Sequence, residues 1–315
     1  MSITEEEVMI DGAVRIGATV AYGSKEGKSP AIVIVMGTGT LDRDGNGKGF
    51  NLNIYRDLAK SFADWGFVSL RYDKRGTHKS EGDFKTAGLS DLVDDAISVV
   101  RYAKSLPFVD ADKVIVCGHS EGAMVSTLLT GKEDVAGLIL LGGAGTCLRD
   151  AQRYQYREIE ELSKRKKGPM GFILRKTATY EKSEAKGDEL YRKAETVSSD
   201  SMRYKGISMS AKWLREHNSY TSEDFRDMIE AFGRPVLAVT GTADLNVSFR
   251  QLDTLNGIPR VECYAPENVN HILREVDDDN DILKIKKQYA RLSKDPIHQG
   301  TLDRMREWLR QFGGN

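Results

Sequence analysis

The sequence predicts an α/β fold built on a mostly parallel, doubly wound sheet with a helical insertion. Short apolar, β-branched runs such as Ala31–Met36 and Val135–Leu141 alternate with segments of helical period. This order is typical of a parallel sheet with helices on both faces. The alternation stops near Cys147 and resumes near Pro235, so a further segment interrupts the sheet. The length of 315 residues allows one large domain with such an insertion.

The individual elements are predicted from local periodicity and from the turn residues between them. Strands are predicted at Glu6–Ile10, Val14–Tyr22, Ala31–Met36, Phe67–Arg71, Lys113–Cys117, Val135–Leu141, Pro235–Thr240 and Arg260–Tyr264. Helices are predicted at Tyr55–Trp65, Leu89–Ala103, Glu121–Leu129 and Leu302–Phe312. Ser90 is the predicted N-cap of the second helix, because a serine oxygen accepts a hydrogen bond from first-turn N–H groups. Residues 277–295 are expected to form an exposed helix or loop.

The interrupting segment, residues 147–232, is predicted to be a helical cap on a core formed by residues 1–146 and 233–315. The segment has no strand-like run, and its charged residues are dense. One apolar island interrupts the charged residues and consists of Met170, Phe172, Ile173 and Leu174. We therefore expect amphipathic helices in the cap.

Composition excludes several classes of protein. With 46 basic and 47 acidic residues and a net charge of -1, the chain lacks the basic excess typical of nucleic-acid-binding proteins. Its apolar runs are too short to cross a bilayer, and Glu5–Glu7 lies where a secretory signal would be apolar. Three irregularly spaced cysteines do not indicate a disulfide framework or a zinc site. We therefore expect a cytoplasmic protein with no nucleic-acid or membrane partner, and a homodimer is left open.

The strongest catalytic signal is the stretch Gly118-His119-Ser120-Glu121-Gly122. It matches G-x-S-x-G and lies between a predicted strand and a predicted helix, which is the context of a nucleophile elbow. Such a turn presents the serine hydroxyl at the sheet edge, and the two glycines let the strand and the helix approach each other. Ser120 is the predicted nucleophile, and an ordinary glycine-rich turn is the alternative.

A serine nucleophile needs a base, which we expect to be a histidine. His271 follows the last predicted strand, where the chain order Ser, acid, His places the base. His119 is inside the turn and is expected to point away from the nucleophile. His217 is expected at the surface of the cap, and His298 begins the last helix. His78 lies in a polar loop that could approach the site.

The base needs an acid that fixes its tautomer, and this acid is expected between Ser120 and His271. Asp244 follows the predicted strand Pro235–Thr240, at the strand end where ligand sites of open α/β sheets gather. Asp244 is therefore the predicted acid, and a turn or capping role is its alternative. Asp253 and Glu267 are weaker candidates.

Two backbone N–H groups are predicted to bind the oxyanion of acyl transfer. One belongs to Glu121, the residue after the nucleophile. The other belongs to Thr38, in the glycine-rich loop Gly37–Gly49 that follows the strand Ala31–Met36. A flexible linker is the alternative for this loop.

A polar stretch, Arg71–Gly76, follows the next strand and includes Asp73. We expect a buried Asp/Arg pair here with a structural role. Residues 42–44 (Asp, Arg, Asp) are expected to support the oxyanion loop or to line the cleft. No His or Cys cluster indicates a metal site, and no dinucleotide or phosphate-loop motif is present. The sequence therefore predicts neither a metal nor a cofactor.

These motifs make the chain resemble the α/β-hydrolase superfamily over residues 14–145 and 233–312. Within it, the chain is similar to bacterial carboxylesterases that carry H-G-S-G-P-x-D-R-D-G-N and R-Y-D-x-R-G-x-G-x-S. The corresponding stretches here are Met36-Gly37-Thr38-Gly39-Thr40-Leu41-Asp42-Arg43-Asp44-Gly45-Asn46 and Arg71-Tyr72-Asp73-Lys74-Arg75-Gly76-Thr77-His78-Lys79-Ser80. Met36 replaces the usual histidine and His78 a usual glycine, and the insertion lies where the family places its cap.

The resemblance implies a serine carboxylesterase that acts on a small or medium acyl ester through an acyl-enzyme. Gly37 and Gly39 are expected to contact the substrate, together with Phe172 and Trp213 of the cap, although the cap residues could equally pack inside the cap. A thioesterase, amidase, aminopeptidase or lactone hydrolase would use the same residues. A ligand-binding protein on this scaffold is a further alternative.

Overall fold

The computed structural model describes residues 3–48 and 50–313. Its strands are β1 (Thr4–Ile10), β2 (Ile16–Tyr22), β3 (Ser29–Val35), β4 (Asn46–Gly47), β5 (Phe50–Asn51), β6 (Val68–Tyr72), β7 (Val109–His119), β8 (Gly137–Leu141), β9 (Ser201–Tyr204), β10 (Ile207–Ser210), β11 (Val236–Val239) and β12 (Val261–Tyr264). Its helices are α1 (Ile54–Asp64), α2 (Leu89–Ser105), α3 (Glu121–Leu129), α4 (Leu148–Arg165), α5 (Gly168–Thr177), α6 (Tyr180–Thr196), α7 (Ala211–Asn218), α8 (Ser222–Phe232), α9 (Ile285–Leu292) and α10 (Gln299–Leu309). Gly49, which ends the predicted oxyanion loop, and the outermost residues of the predicted core, 1–2 and 314–315, lie outside this description.

Eight strands form one sheet in the order β1-β2-β6-β3-β7-β8-β11-β12. The pairs β1/β2 and β2/β6 are antiparallel, and every pair from β6 to β12 is parallel. Alternate residues of β3 lie in two separate hydrophobic clusters. Helices α2 and α3 contribute to one cluster, whereas α1 and α10 contribute to the other. The prediction of a mostly parallel sheet covered by helices on both faces is therefore confirmed.

The start of α2 differs from the predicted capping. Gly88, not Ser90, is the N-cap residue. The Asp91 carboxylate accepts a hydrogen bond of 2.7 Å from the Gly88 N–H, whereas Ser90 donates from its N–H and its hydroxyl to Glu216. The prediction for Ser90 is wrong because both hydrogen bonds that Ser90 donates go to Glu216, a residue of the segment 147–232.

The segment 147–232 lies between β8 and β11 and contains five helices and one hairpin. The hairpin, β9–β10, contradicts the expectation of an all-helical segment. Its two-residue turn is Lys205-Gly206, with φ angles of 48° and 86°, the backbone twist that two-residue hairpin turns favour. The glycine of this turn is the one local feature that could have indicated a hairpin. A small cluster of buried side chains packs the hairpin against α6 and α7, and consists of Tyr191, Ala194, Met202, Ala211 and Leu214.

The segment after β12 contains the exposed elements that the sequence predicts. Residues 282–284 form a single 3-10 turn that leads into α9, and α10 is followed by a second short 3-10 turn. In the part of the chain that the structure describes, no helix combines the length and the apolar composition needed to cross a bilayer.

Candidate active site

Ser120 lies at the turn between β7 and α3 in a strained backbone conformation. Its φ and ψ are 57° and -122°, a region that side chains other than glycine rarely adopt and that clusters at functional sites. The turn is held in place because the Ser120 N–H donates to the Leu141 carbonyl at 2.8 Å and the Ala123 N–H donates to the Ser120 carbonyl at 2.9 Å. The strain is therefore stabilised by hydrogen bonds to the neighbouring strand and helix.

The two glycines of the turn allow the close contact that the sequence predicts. A Cβ atom on Gly118 would lie 2.2 Å from the Gly122 carbonyl oxygen, and a Cβ atom on Gly122 would lie 2.0 Å from the Val35 carbonyl oxygen. Both distances are far below van der Waals contact, and both involve backbone atoms. Only glycine fits at these two positions.

His271 and Asp244 form a buried hydrogen bond beside this turn. His271 Nδ1 lies 2.7 Å from Asp244 Oδ2. The other carboxylate oxygen accepts from the N–H groups of Asn246 at 2.7 Å and Val247 at 3.0 Å. Because an ionised carboxylate only accepts, Nδ1 carries the proton and Nε2 is left as the basic nitrogen. Asp244 thus has the contacts of an orienting acid.

The end of β8 leaves room for this pair. Gly142 has φ 59°, and a Cβ atom there would lie 3.0 Å from His271 Nδ1 and 3.3 Å from Asp244 Oδ2. A larger residue would therefore press on the imidazole and the carboxylate together.

The predicted oxyanion donors, Thr38 and Glu121, line the same cleft as Ser120. Glu121 is the first residue of α3, where helix geometry leaves the N–H without an intrahelical acceptor. Gly37 passes so close that its Cβ would lie 2.9 Å from Ser120 Cβ. The Gly37 N–H is already used, because it donates to the Tyr55 hydroxyl at 2.9 Å. Thr38, the next residue, lines the same cleft as Ser120 and Glu121.

His119 joins the oxyanion loop to the His271 loop. Its Nδ1 lies 3.0 Å from the Tyr55 hydroxyl, and its Nε2 lies 2.8 Å from the His271 carbonyl oxygen. Since the hydroxyl accepts from Gly37, it donates to Nδ1, and Nε2–H donates to the carbonyl. Burial, with the nearby His271, lowers the pKa of His119 to about 3, so this imidazole is neutral. His119 is a connecting residue, and Tyr55 is a partner that the sequence analysis missed.

The side chain of Glu121 forms a buried cluster with residues from the core and the cap. Its Oε2 accepts from Lys74 Nζ at 2.5 Å, and its Oε1 accepts from Trp213 Nε1 at 2.5 Å and lies 3.1 Å from His217 Nε2. Burial would raise the pKa of this carboxyl, but Lys74 and His217 outweigh burial and hold the pKa well below its usual range. The expectation that His217 lies at the surface is wrong: its side chain is 1% exposed.

The remaining histidines lie at the edge of the site or away from it. His78 is exposed, and its Nε2 lies 3.0 Å from the Thr40 carbonyl oxygen in the oxyanion loop. His298 is the N-cap of α10 and accepts from the Thr301 N–H. Neither lines the cleft that contains Ser120.

Asp73 of the stretch Arg71–Gly76 forms a buried Asp/Arg pair, but its partner is Arg43 of the oxyanion loop and not an arginine of its own stretch. Asp73 binds Arg43 through a 2.5 Å ion pair and also accepts from the Arg43 N–H at 2.8 Å. Arg71 pairs with Asp44 at 2.6 Å, and Asp42 accepts from two N–H groups within its own loop. The motif after β6 and the loop after β3 are therefore joined by buried charges.

The cleft around Ser120 has a volume of about 320 Å³. Its mostly apolar lining comes from the core and from the start of α4 and α7, and includes Leu41, Leu52, Ile54, Met124, Leu148, Ala151, Gln152, Gln155, Trp213, Asn246, Ile272 and Tyr289. Gly37 lines the cleft, but Gly39 does not. Phe172, expected in the pocket, lies on α5 with 55% of its surface exposed and is absent from the lining. Of Phe172 and Trp213, which were both expected at the substrate, Trp213 alone lines the cleft.

Within residues 3–48 and 50–313, no three His, Cys, Asp or Glu side chains converge as ligands of a metal ion would. The charged groups nearest to Ser120 are paired with each other or with backbone N–H groups, as described above. The chemistry open to this arrangement is nucleophilic attack by a serine, assisted by an imidazole as the base and by backbone N–H donors.

Comparison with known proteins gives a family match and several structural matches. Residues 46–256 match the family model described as serine aminopeptidase, S33. Esterase EstD of Thermotoga maritima is 26% identical over 165 residues, which are 51% of this chain and 37% of that protein. The match therefore spans little more than a third of the length of this relative.

Solved structures with a similar fold include several esterases and hydrolases. Est1E from Butyrivibrio proteoclasticus, in a structure with ferulic acid bound, has a TM-score of 0.57 and 18% identity, and the match covers 92% of this chain and 99% of that one. Pyrococcus furiosus esterase Pf2001 has a TM-score of 0.56 and 12% identity over 98% and 93% of the two chains. The α/β hydrolase GrgF from Penicillium sp. sh18 has a TM-score of 0.57 and 15% identity over 94% and 99%. At these identities the matches establish the fold.

Proposed function

Because the chain belongs to the serine aminopeptidase S33 family of α/β hydrolases, we propose that it is a serine hydrolase that cleaves uncharged carboxylic esters. The observation that carries the proposal is the buried 2.7 Å contact between His271 Nδ1 and Asp244 Oδ2, in a site where His271 and Ser120 line one cleft. Ser120 is in addition held in the strained conformation of a nucleophile turn. The partial match to an esterase supports the ester as the bond cleaved.

The proposed reaction begins with attack of Ser120 Oγ on the ester carbonyl carbon. His271 Nε2 takes the hydroxyl proton, and Asp244 stabilises the imidazolium that results. The carbonyl oxygen becomes an oxyanion and is bound by the N–H groups of Thr38 and Glu121. The tetrahedral intermediate then expels the alcohol, which leaves with the proton from His271. Water, deprotonated by His271, attacks the acyl-enzyme and releases the acid and the free serine.

The charges in the cleft favour an uncharged substrate over a peptide with a free amine. An aminopeptidase needs an unpaired anionic group near the nucleophile to bind the α-ammonium of its substrate. Among the described residues that line the cleft, Glu121 is the sole carboxylate. Both its oxygens are already bound by Lys74, Trp213 and His217. Binding an ammonium there would require breaking a buried ion pair, which is costly.

The size of the cleft supports a small or medium ester. A volume of about 320 Å³ is at the lower end of the range for small-molecule pockets. The lining side chains Leu41, Leu52 and Met124 are apolar, so they favour the hydrocarbon part of an acyl or alcohol group.

The proposal is tested with p-nitrophenyl acetate, butyrate and octanoate. We expect turnover that falls at least 10³-fold in Ser120→Ala, since loss of the nucleophile removes the acyl-enzyme route. Ser126→Ala is the matched control, because Ser126 is a buried serine of α3, the helix that follows Ser120, and its hydroxyl donates to the Gly122 carbonyl. Its turnover is expected to stay within about threefold of the unaltered protein.

Leucine p-nitroanilide and its N-acetyl form test the substrate class. We expect the free-amine substrate to be hydrolysed far more slowly than the esters. Preferential cleavage of the free-amine form would replace the esterase proposal by an aminopeptidase. Absence of turnover of every ester, together with no labelling of Ser120 by a fluorophosphonate, would overturn the hydrolase proposal.

A further inference from the structure

The Glu121 cluster joins three parts of the molecule at the residue that follows the nucleophile. Lys74 follows β6 in the core, Glu121 begins α3, and Trp213 and His217 lie on α7 of the cap segment. The side chains of Lys74, Glu121 and His217 are 5%, 1% and 1% exposed. Such a buried ion pair is expensive to desolvate, and the reaction proposed above does not use the Glu121 carboxylate.

The directions of the hydrogen bonds follow from the charge of the carboxylate. Glu121 is ionised because its pKa is held well below its usual range by Lys74 and His217 against the effect of burial. An ionised carboxylate only accepts. Trp213 Nε1–H and His217 Nε2–H therefore both donate to Oε1, while Lys74 donates to Oε2. The rings of Trp213 and His217 also pack against each other, with their centroids 4.5 Å apart.

This cluster restrains the backbone that carries a predicted oxyanion donor. The Glu121 carboxylate is bound from the core by one residue and from the cap by two, so its side chain has one orientation. The same residue carries the N–H that begins α3. A shift of α7 would release two of the three hydrogen bonds to the carboxylate. The N–H of Glu121 would then be held by the core contact and the turn alone.

We propose that Glu121 is a positioning residue, whose carboxylate, fixed by Lys74 and by Trp213 and His217 of α7, holds its own N–H in place for the oxyanion. Docking of the cap and completion of the oxyanion site are thereby coupled. The inference rests on the proposed function, since it assigns a part of the same reaction. It adds a role for the side chain, whereas the acyl-transfer mechanism uses only the backbone of Glu121.

The helix α7 supplies its own matched control. Glu216, one residue before His217, also connects α7 to the core, because it accepts from the N–H of Ser90 at 2.7 Å and from its hydroxyl at 2.8 Å. That contact ends on α2 and not on the nucleophile turn. If cap docking alone matters, loss of either contact has the same effect. If positioning of Glu121 matters, only loss of the contact with Glu121 lowers the rate of the chemical step.

The experiment compares His217→Leu, His217→Gln and Glu216→Ala in hydrolysis of p-nitrophenyl acetate and in inhibition by an aryl trifluoromethyl ketone, which forms a tetrahedral adduct with serine. For His217→Leu we expect kcat to fall roughly tenfold to hundredfold, since small misplacements of catalytic groups have effects of this size. KM stays within twofold, and the inhibition constant of the ketone rises by the same factor as kcat falls. His217→Gln keeps a donor to the carboxylate and restores kcat to within about threefold.

Glu216→Ala is expected to leave kcat and the ketone inhibition constant within twofold of the unaltered protein. Circular dichroism and thermal denaturation show that each variant is folded, and Trp213→Phe, which removes one donor, replaces His217→Leu if that variant does not fold. Equal effects of the His217→Leu and Glu216→Ala changes would overturn the inference, as would a His217→Leu defect confined to KM. Absence of ester turnover by the unaltered protein would instead overturn the proposed function, and the inference with it.

Discussion

Two helices of the cap segment, α5 and α7, have very different relations to the site. On α5 the side chains of Met170, Phe172 and Ile173 are 54%, 55% and 52% exposed, and Gly171 is its one buried residue in the described chain. On α7, by contrast, Trp213 lines the cleft and His217 is buried against Glu121. Both helices are short, and both combine apolar and basic residues.

The difference shows that hydrophobicity in a cap does not identify the residues of a pocket. Phe172 and Trp213 are both apolar residues of the insertion, and both were expected at the substrate or inside the cap. What separates them is a polar partner in the core: Trp213 has a buried carboxylate to donate to, whereas Phe172 is 55% exposed and its ring lies under Lys176 of its own helix. Of these two helices, α7 therefore contacts the candidate active site, whereas Phe172 of α5 does not line its cleft.

The largest expected effect is on the free energy of unfolding, and it is measured by replacing one lysine near α7 and one near α5. Lys74→Met leaves the buried Glu121 carboxylate without its cation, so we expect the free energy of unfolding to fall by about 3–5 kcal/mol. Lys166→Met, next to α5, removes a partly exposed partner of Asp281 and is expected to cost about 1 kcal/mol or less. Urea denaturation of both variants measures the difference. Equal losses would contradict the distinction between an anchored and a peripheral part of the cap.

A second test compares the two aromatic residues in catalysis. Trp213→Phe keeps a ring in the cleft and removes the N–H that donates to Glu121. Hydrogen bonds to charged groups contribute about 1.5–3 kcal/mol, so we expect kcat/KM for p-nitrophenyl butyrate to fall at least tenfold. Phe172→Leu is the control and is expected to change kcat/KM less than twofold. A larger loss of kcat/KM in Phe172→Leu than in Trp213→Phe would show that α5, and not α7, contributes to catalysis.

A pH experiment extends the comparison to His119, a core residue that lines the same cleft. His119 is neutral in the folded protein because burial and His271 lower its pKa from 6.5 to about 3. Below pH 6.5 the unfolded chain therefore binds a proton at His119 that the folded protein does not bind. The free energy of unfolding falls as the pH is lowered through this range. Between pH 7 and pH 5 this single group accounts for about 2 kcal/mol of lost stability.

The matched variant is His119→Gln, which is uncharged and can still donate to the His271 carbonyl. Between pH 7 and pH 5, the free energy of unfolding of this variant is expected to fall by about 2 kcal/mol less than that of the unaltered protein. Parallel pH dependences of the two proteins would show that His119 is not buried in the neutral form.

The smallest expected effect is on α5 itself. Replacing Met170, Phe172 and Ile173 by serine removes three side chains that are more than half exposed. Surface substitutions usually change stability by about 0.5 kcal/mol or less each. We expect kcat/KM within twofold and a small change in the urea midpoint. A collapse of activity in this triple variant would contradict the peripheral position of α5.

Much of the fold and the candidate site could be predicted because these features are encoded locally. The β-branched runs define the parallel strands, and the G-x-S-x-G turn follows one of them directly. Asp244 and His271 follow strands whose carboxyl ends lie at one edge of the sheet, so chain order alone brought them near Ser120. The strand β2 was also visible, because Val14–Tyr22 alternates loosely between apolar and polar residues.

The remainder depends on contacts between distant parts of the chain. Nothing near His217 in the sequence indicates burial, because its partner Glu121 lies 96 residues away. The role of Tyr55 depends on its contact with His119, which lies 64 residues away in the sequence. Ser90 does not cap α2 because its N–H donates to Glu216, which lies 126 residues away. The β9–β10 hairpin was missed because its strands have four residues each, too few for a clear periodicity.

The central claim is that Ser120 is the nucleophile activated by His271. It is tested most directly by reacting the protein with a fluorophosphonate and locating the adduct by peptide mass spectrometry. We predict one adduct, on Ser120, that is absent in Ser120→Ala and forms at least 100-fold more slowly in His271→Ala, because the base activates the serine. An adduct on another residue, or ester hydrolysis that continues at the full rate in Ser120→Ala, would contradict this account.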